Sequence, residues 1–355
     1  MAREALAGDP VTDLNVPHSR SWNRREFMNG AATLAGSVAL LGYELASSAA
    51  EPSLETTTIR LAHSPAICLA PQYLAEDLLH LEGFSKVEYV PCPDEYDTNV
   101  VVAKGDADIT MDGATGLVMT LDSTQSIVVL AGVHGGCYEL FGSDRVRAIR
   151  DLREKSVAIS ALGAADHVYI SSMMAYLGMD PGKDVKWVVA KTFDGPMQLF
   201  IDGKVDAFLG FPPQPQKVRA KKVGHVIVNT AQDKPWSQQF CCMIAGHQEF
   251  VRRHPVAAKR AVRAFLKATD ICAQYPERAA QYMVKKGYES NYGIALEVVK
   301  EVSYNAWRTF NPEDTLRFHT LRLREVGMIK TTPQKLIARG TDWRFLNELK
   351  KELKT

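Results

Sequence analysis

The sequence lacks the features that mark several large classes of protein. Its 42 Lys and Arg nearly balance 41 Asp and Glu, so no excess of charge predicts binding to nucleic acid or to an anionic membrane. Six cysteines in 355 residues are too few for a disulfide scaffold. No apolar run after the N-terminal segment approaches the roughly 18 residues of a membrane span. The 46% hydrophobic content is typical of a globular protein, and the length allows two domains.

Motifs of common enzymes and metalloproteins are also missing. The sequence has no G-x-S-x-G, no Walker A loop and no G-x-G-x-x-G, and none of its nine histidines lies in a metal-binding spacing. Cys241 and Cys242 are adjacent but have no further ligand at a suitable spacing, so we interpret them as small buried residues. We therefore expect no catalytic residue, no metal and no cofactor. Whether any cysteines form a disulfide stays open.

Residues 1–50 predict a removable export signal. Arg24 and Arg25 precede a soft apolar stretch at 30–42, and small residues follow at 46–50. A charged start, a short apolar stretch and a small-residue exit are the three parts of such a signal. The paired arginines indicate the twin-arginine (Tat) route, which carries folded proteins, and about 13 apolar residues are too few for a membrane anchor. In a Gram-negative cell the mature protein would be periplasmic.

The same spacing of strand and helix patterns occurs in two halves of the chain. Strands are predicted at 59–62, 87–90 and 106–111, and a shift of 98 residues places them on 157–160, 185–189 and 204–209. The shift also places Gly105 on Gly203 and Asp108 on Asp206. Each glycine fits a helix C-cap. The pattern predicts an α/β fold with two open sheets, in which ligands lie at the carboxyl ends of the strands. Helical patterns from Pro255 onward predict a helical C-terminal tail.

Four loops at predicted strand ends supply most candidate ligand-binding residues, because free N–H groups at helix N-termini bind anions and polar groups. These candidates are Ser64, Pro65, Ile67, Asp112, Gly113, Ala114, Thr115, Leu162, Gly163, Ala164, His167, Phe211 and Pro212. The glycines let the backbone approach a ligand closely. The alternative is that Ser64, Asp112 and Asp166 only cap helices.

A fifth segment, 134–138, adds His134, Cys137 and Tyr138 as candidates. It ends a predicted strand before the first expected connection between the two halves. One interpretation places these side chains in a ligand cleft; the other is a hinge strand with a buried tyrosine. Phe211 likewise either covers a planar ligand or fills the core.

Several short motifs together resemble one family. They are GDAD at 105–108, HGGCYEL at 134–140, RDLREKSVA at 150–158, GKVDA at 203–207, FVRRHP at 250–255 and YPERA at 275–279. In this order, over residues 55–350, they resemble the periplasmic solute-binding proteins of ABC importers. The similar branch contains the nitrate, taurine and aliphatic sulfonate binders and the thiamine-pyrimidine-precursor-like proteins.

The resemblance implies a type II periplasmic-binding-protein fold, with two α/β lobes joined by two hinge crossovers that close on a ligand. Lobe one would comprise residues 55–141 and 242–355, and lobe two residues 146–236. The crossovers would lie near 142–144 and 233–236.

The function implied by the resemblance is capture of a small organic or anionic solute, of the sulfonate, nitrate, taurine or pyrimidine-precursor type. A monomer would deliver it to an ABC permease in the inner membrane, with no role for nucleic acid. The five candidate segments contain no Arg or Lys, which favours an uncharged or weakly acidic organic solute. Two alternatives stay open: an exported enzyme on the thiamine-pyrimidine-synthase-like fold, and a module that presents its ligand to a membrane sensor.

Overall fold

Strands and helices alternate through the first half of the chain. The structure, a computed structural model, describes residues 51–92 and 98–354, so the predicted export signal lies outside the described residues. The elements are β1 (Thr58–His63), α1 (Ala70–Leu81), β2 (Lys86–Pro91), α2 (Thr98–Lys104), β3 (Ile109–Gly113), α3 (Ala114–Ser123) and β4 (Ile127–Gly135). Gly105 follows α2 with φ of 80°, so this helix ends as the sequence predicts, and Gly83 follows α1 in the same way with φ of 106°.

The second half repeats this order of elements. It contains β5 (Glu139–Gly142), β6 (Ser156–Ile159), α4 (Ala165–Tyr176), β7 (Lys186–Val189), α5 (Gly195–Ile201), β8 (Ala207–Gly210), α6 (Gln214–Lys221) and β9 (His225–Asn229). A last strand, β10 (Phe240–His247), follows. Single 3₁₀ turns lie at Ile67–Leu69, Ile149–Leu152 and Trp236–Gln238.

The strands form two five-stranded sheets, which confirms the predicted α/β class. The first sheet has the order β2-β1-β3-β10-β4 and the second β7-β6-β8-β5-β9. In each sheet the first three strands are parallel and come from one repeat. The chain passes between the sheets twice, after β4 and after β9. The long strand β10 therefore returns to the first sheet and inserts antiparallel between β3 and β4.

The two repeats share a buried aspartate with the same role. Asp108 accepts the backbone N–H of Arg60 at 2.8 Å, and Asp206 accepts that of Ser156 at 3.0 Å. The predicted equal spacing is wrong by two residues, however. Thr58 pairs with Lys86, 28 positions on, whereas Ser156 pairs with Lys186, 30 positions on. The connection between β6 and β7 accommodates the two extra residues.

Strand β5 lies in the second sheet, where it pairs antiparallel with both β8 and β9. The sequence-based division assigned residues up to 141 to lobe one and placed the crossover at 142–144. The chain instead leaves the first sheet after Gly135 and is already paired in the second at Glu139. All four residues of β5 are buried, so this segment is core rather than hinge. The division into two closing lobes stays a prediction.

Helices make up most of the chain after β10, as predicted. They are α7 (Gln248–Arg253), α8 (Pro255–Gln274), α9 (Pro276–Lys285), α10 (Tyr292–Glu301), α11 (Ala306–Thr309), α12 (Pro312–Glu325), α13 (Pro333–Gly340) and α14 (Arg344–Glu352). The helical sequence pattern continues from 293 to 309, but the structure divides this stretch into α10 and α11, because Val302 has extended backbone with φ −75° and ψ 129°. Helix α8 packs on α1, and α12 packs on α4 of the second half. None of the described helices is long and apolar enough to cross a membrane.

Candidate functional site

A small cavity lies where loops at the strand ends of both sheets meet. Its volume is about 40 Å³. Its walls are Ser64, Ala66, Cys68, Leu69, Thr98, Asp112, Gly113, Cys137, Tyr138, Ala165, Phe211 and Cys242. Ser64 follows β1 and Gly113 ends β3, whereas Phe211 follows β8 of the other sheet. Next to the cavity, the Ile67 N–H donates to the Pro212 carbonyl at 3.3 Å, so loops of the two halves are bonded directly.

Six of the sixteen predicted site residues line this cavity: Ser64, Asp112, Gly113, Cys137, Tyr138 and Phe211. Ile67, Ala114, Thr115 and His134 are buried, and Pro65 is half-buried. Pro212 lines a second, larger cavity.

The segment after β6 does not contribute its predicted residues to the small cavity. Leu162 is 67% exposed, and Gly163 donates its N–H to His167 Nδ1 at 3.0 Å, which closes a local turn. His167 packs edge-on against Trp187, and burial lowers its pKa to about 4. Ala164 is buried before α4. Asp166 accepts the Ser160 N–H at 2.6 Å, and burial raises its pKa to about 6. Asp166 therefore holds this loop in place, but it does not cap α4: Ala164 is the N-cap residue and no side chain caps the helix, so the capping alternative is wrong here.

Asp112 holds together the wall of the small cavity that belongs to the first sheet. Its carboxylate accepts the Thr98 hydroxyl at 2.6 Å, the Asn99 N–H at 2.8 Å and the Gly113 N–H at 2.6 Å. It thus holds the first turn of α2. The helix that follows Asp112, α3, begins without a side-chain cap, so the capping role expected for Asp112 at its own helix is wrong. Among the described residues that line the cavity there is no Lys or Arg. The wall therefore offers oxygen and sulfur atoms and aromatic surface, and it suits a neutral solute or one that donates hydrogen bonds.

Aromatic rings form the side of the cavity that faces the second sheet. Tyr138 lies between Tyr169, at a ring distance of 4.9 Å, and Phe211, at 5.7 Å. Phe193 packs edge-on against Phe211 at 5.2 Å. Tyr138 and Phe211 are only 6% and 8% exposed, so they belong to the core and to the cavity wall at once.

Four cysteines and one histidine converge beside the cavity, a cluster that the sequence analysis missed. Cys68 lies in the turn after β1. His134 lies at the end of β4 and Cys137 just beyond it, and Cys241 and Cys242 follow Phe240 at the start of β10. Strand β10 brings them together, since Cys242 pairs with Gly113 on one side and with His134 on the other. All five residues are buried. We call Cys68, His134, Cys137, Cys241 and Cys242 the cysteine–histidine cluster.

Neighbouring groups of the cluster shift one another's pKa values through hydrogen bonds and charge. Burial raises the pKa of the Cys241 thiol, but hydrogen bonds with Cys137 and Cys242 outweigh it and lower that pKa to about 6. Burial lowers the pKa of His134, but the neighbouring Cys242 and Cys68 outweigh it and raise that pKa to about 10. The cluster therefore favours thiolate character at Cys241. Adjacent cysteines with a buried histidine at a strand end were the available sequence signal, but Cys68 is far from them along the chain.

A second cavity of about 600 Å³ lies beside the two connections between the sheets. Its walls include Gly136, Cys137, Glu139, Pro212, Gln216, Arg219, Asn229, Asp233, Glu301 and Ser303. The guanidinium of Arg219 contacts Glu139 and donates to Glu297 and Glu301, each at 2.7 Å. Burial raises the pKa of Glu139 to about 7, even though Arg219 acts to lower it. Through Arg219, helix α6 of the second half is bonded to α10 of the C-terminal region.

Comparisons with known proteins agree with this architecture. The family model described as NMT1/THI5 like matches residues 82–279, which is more than half of the chain. This chain belongs to the NMT1/THI5-like family. No curated protein matches the sequence.

Solved structures that are similar to the chain show the same fold at low sequence identity. The periplasmic nitrate-binding protein NrtA from Synechocystis PCC 6803 has a TM-score of 0.71 at 15% identity, over 85% of this chain and 90% of that one. The alkanesulfonate-binding protein SsuA from Xanthomonas axonopodis pv. citri has a TM-score of 0.66 at 12% identity, over 82% and 100%. The desulfurization enzyme DSZB has a TM-score of 0.56 at 14% identity, over 84% and 99%. The chain therefore has the periplasmic-binding-protein fold, which serves both binding proteins and an enzyme.

Proposed function

We propose that this protein is the substrate-binding component of an ABC importer, exported to the periplasm by the twin-arginine route. The observation that carries the proposal is the shared cavity, to which strand-end loops of both sheets contribute. In two-sheet folds of this kind, closure of the two halves around a solute excludes water and presents one shape to a partner. The nitrate-binding protein NrtA and the alkanesulfonate-binding protein SsuA have the same fold.

The chemistry of the cavity narrows the solute class. Nitrate and sulfonates are anions, whereas the described wall holds the Asp112 carboxylate and no Lys or Arg. A carboxylate that already accepts three hydrogen bonds from Thr98, Asn99 and Gly113 opposes a second anion nearby. The rings of Tyr138 and Phe211 offer apolar area. We therefore propose a neutral or hydrogen-bond-donating organic solute, such as a pyrimidine, in place of a strong anion.

A cavity of about 40 Å³ is much smaller than the roughly 300 Å³ or more of typical ligand pockets. Entry of an organic solute therefore requires the two halves to separate. Contacts that would open are the bond between Ile67 and Pro212, the bond from Gln216 to Glu301 at 2.8 Å, and the Arg219 bonds to α10. All of them join segments of the second sheet to segments of the first sheet or to the C-terminal helices.

A thermal-shift screen of purified protein, freed of any retained solute by unfolding and refolding, tests the proposal. The panel contains pyrimidines, neutral heteroaromatics, aromatic carboxylates, alkyl and aryl sulfonates, taurine, nitrate and bicarbonate. A solute at 100 times its Kd stabilises the folded state by about 2.7 kcal/mol, which raises Tm by several degrees. We expect a selective shift with a pyrimidine or neutral heteroaromatic and none with nitrate. A shift with nitrate or sulfonates alone would refute the solute class, and no shift with any compound would refute the binding function.

A further inference from the structure

We propose that Cys68, His134, Cys137, Cys241 and Cys242 form a buried binding site for one thiophilic metal ion, Zn²⁺ or Cu⁺. The site goes beyond solute capture and does not depend on which solute is bound. The donor atoms of Cys68, His134 and Cys137 all lie within 4.8 Å of one another, and so do those of His134, Cys241 and Cys242. The Sγ atoms of Cys137 and Cys241 are 3.0 Å apart.

These two groups fit a single ion once the sulfur atoms of Cys137 and Cys241 move apart from 3.0 Å. Ligands at the corners of a tetrahedron are about 3.8 Å apart, because each Zn–S bond is about 2.3 Å long. His134 belongs to both groups of three, so a four-coordinate ion beside its imidazole can take its other ligands from the surrounding thiols. Thiolate and imidazole donors together select Zn²⁺ or Cu⁺ over the oxygen-seeking cations.

The histidine is already oriented as a metal ligand. Its Nδ1–H donates to the Gly135 carbonyl at 2.7 Å, so Nε2 is the nitrogen available to a metal ion, which would displace any proton bound there. Nε2 is fully buried, and polar groups beside it include the Cys68 and Cys242 thiols, but among the described residues no hydrogen bond of normal geometry satisfies it. A buried polar atom without a partner costs free energy, whereas a metal ion would satisfy it. A ligating histidine that donates its other N–H to a backbone carbonyl is the usual arrangement at metal centres.

The small cavity supplies an open side to the site. The cavity is lined by Cys68, Cys137 and Cys242 together with Asp112 and Ser64. Its volume of about 40 Å³ leaves room for a small ligand of the ion, such as a water molecule. A metal ion there would be reached from the cavity rather than from the surface. The predicted twin-arginine signal fits this site, because a folded protein can acquire its metal in the cytoplasm, where thiols stay reduced.

Metal binding to the full chain, purified with a non-thiol reductant under anaerobic conditions and stripped by a chelator, tests the proposal. Equilibrium dialysis against Zn²⁺ and, in a separate arm, against Cu⁺ is followed by elemental analysis. We expect one equivalent of one of these metals per chain. The variants Cys137→Ser and Cys241→Ser should each weaken binding by at least about 100-fold, because loss of a ligand exceeds the 10–100-fold cost of losing an outer-shell partner.

Cys272→Ser is the matched control. Cys272 is equally buried, at 1% exposed, but lies in α8 and is not in either group of donors. It should bind metal as the wild-type protein does. Because a serine variant can misfold, the wild-type protein is also loaded with Co²⁺, and a thiolate-to-cobalt charge-transfer band is expected. Binding of both Zn²⁺ and Cu⁺ far below one equivalent, or equal binding by the wild-type protein and by folded Cys137→Ser and Cys241→Ser, would each overturn the proposal.

Discussion

Gly113→Val should bind the solute at least about 100-fold more weakly than the wild-type protein, a loss of about 2.7 kcal/mol of binding free energy. Gly113 ends β3 and lines the small cavity. A Cβ atom at this position would lie 3.5 Å from the Tyr138 hydroxyl, in ordinary contact, and its backbone, with φ −63° and ψ 133°, suits any residue. The valine methyls would then occupy a space of about 40 Å³ that the solute needs.

Gly113→Ala provides the graded comparison, and Gly135→Ala provides the control outside the cavity. A Cβ at Gly135 would lie 3.4 Å from the Cβ of Ser303, which is also ordinary contact. Calorimetric titration with the solute identified in the screen should rank affinity as wild type and Gly135→Ala, then Gly113→Ala, then Gly113→Val. An unchanged Kd for a folded Gly113→Val protein would place the solute elsewhere, and the cavity of about 600 Å³ would be the next candidate.

Arg219→Met should lower the free energy of unfolding by about 2 kcal/mol at pH 8 and by clearly less at pH 6, since removing one partner of a largely buried ion pair leaves an uncompensated charge. Glu139 is 4% exposed, and its pKa of about 7 lies above the usual 4.5. At pH values between 4.5 and about 7, the folded protein therefore keeps a proton on Glu139 that the unfolded chain has released. Stability contributed by this carboxyl is thus present at low pH and is lost as pH rises towards 7. Loss of Arg219 raises the pKa of Glu139 further. The free-energy cost of ionising Glu139 in the folded variant is therefore larger at pH 8 than at pH 6.

Urea unfolding at both pH values measures the effect. The double variant Arg219→Met with Glu139→Gln should recover most of the loss at pH 8, because no charge remains to be buried. Lys217→Met on the same helix α6 is the control, since Lys217 meets Asp194 only at 3.7 Å near the surface, and its effect should stay within about 0.5 kcal/mol. Equal destabilisation by Arg219→Met at both pH values would show that Glu139 does not carry the effect.

The repeated part of the fold could be predicted because it depends on local signals. Gly105 and Gly203 end helices with positive φ, and Asp108 and Asp206 each anchor the first strand of their repeat. These residues have the same roles in both halves, so a shift of the sequence reveals them. The two extra residues between β6 and β7 were missed, since a loop of changed length leaves the strand pattern intact.

The cysteine–histidine cluster could not be predicted because it depends on a long-range pairing. The family resemblance assigned residues from 242 onward to lobe one, but nothing in the residues of β10 specifies insertion between β3 and β4. That insertion alone places Cys242 opposite both Gly113 and His134. The short strand β5 was misplaced for a similar reason, because its partners β8 and β9 follow it by many residues.

Recovery of the solute after binding tests the central claim, capture without chemistry, most directly, since the same fold is found in the desulfurization enzyme DSZB. The protein, with its metal content recorded, is incubated with a tenfold excess of the solute found in the screen, then separated and denatured. Mass spectrometry should find one unchanged solute molecule per chain and no product in the excess fraction. Conversion of more than one solute molecule per chain would contradict the account and establish an enzyme.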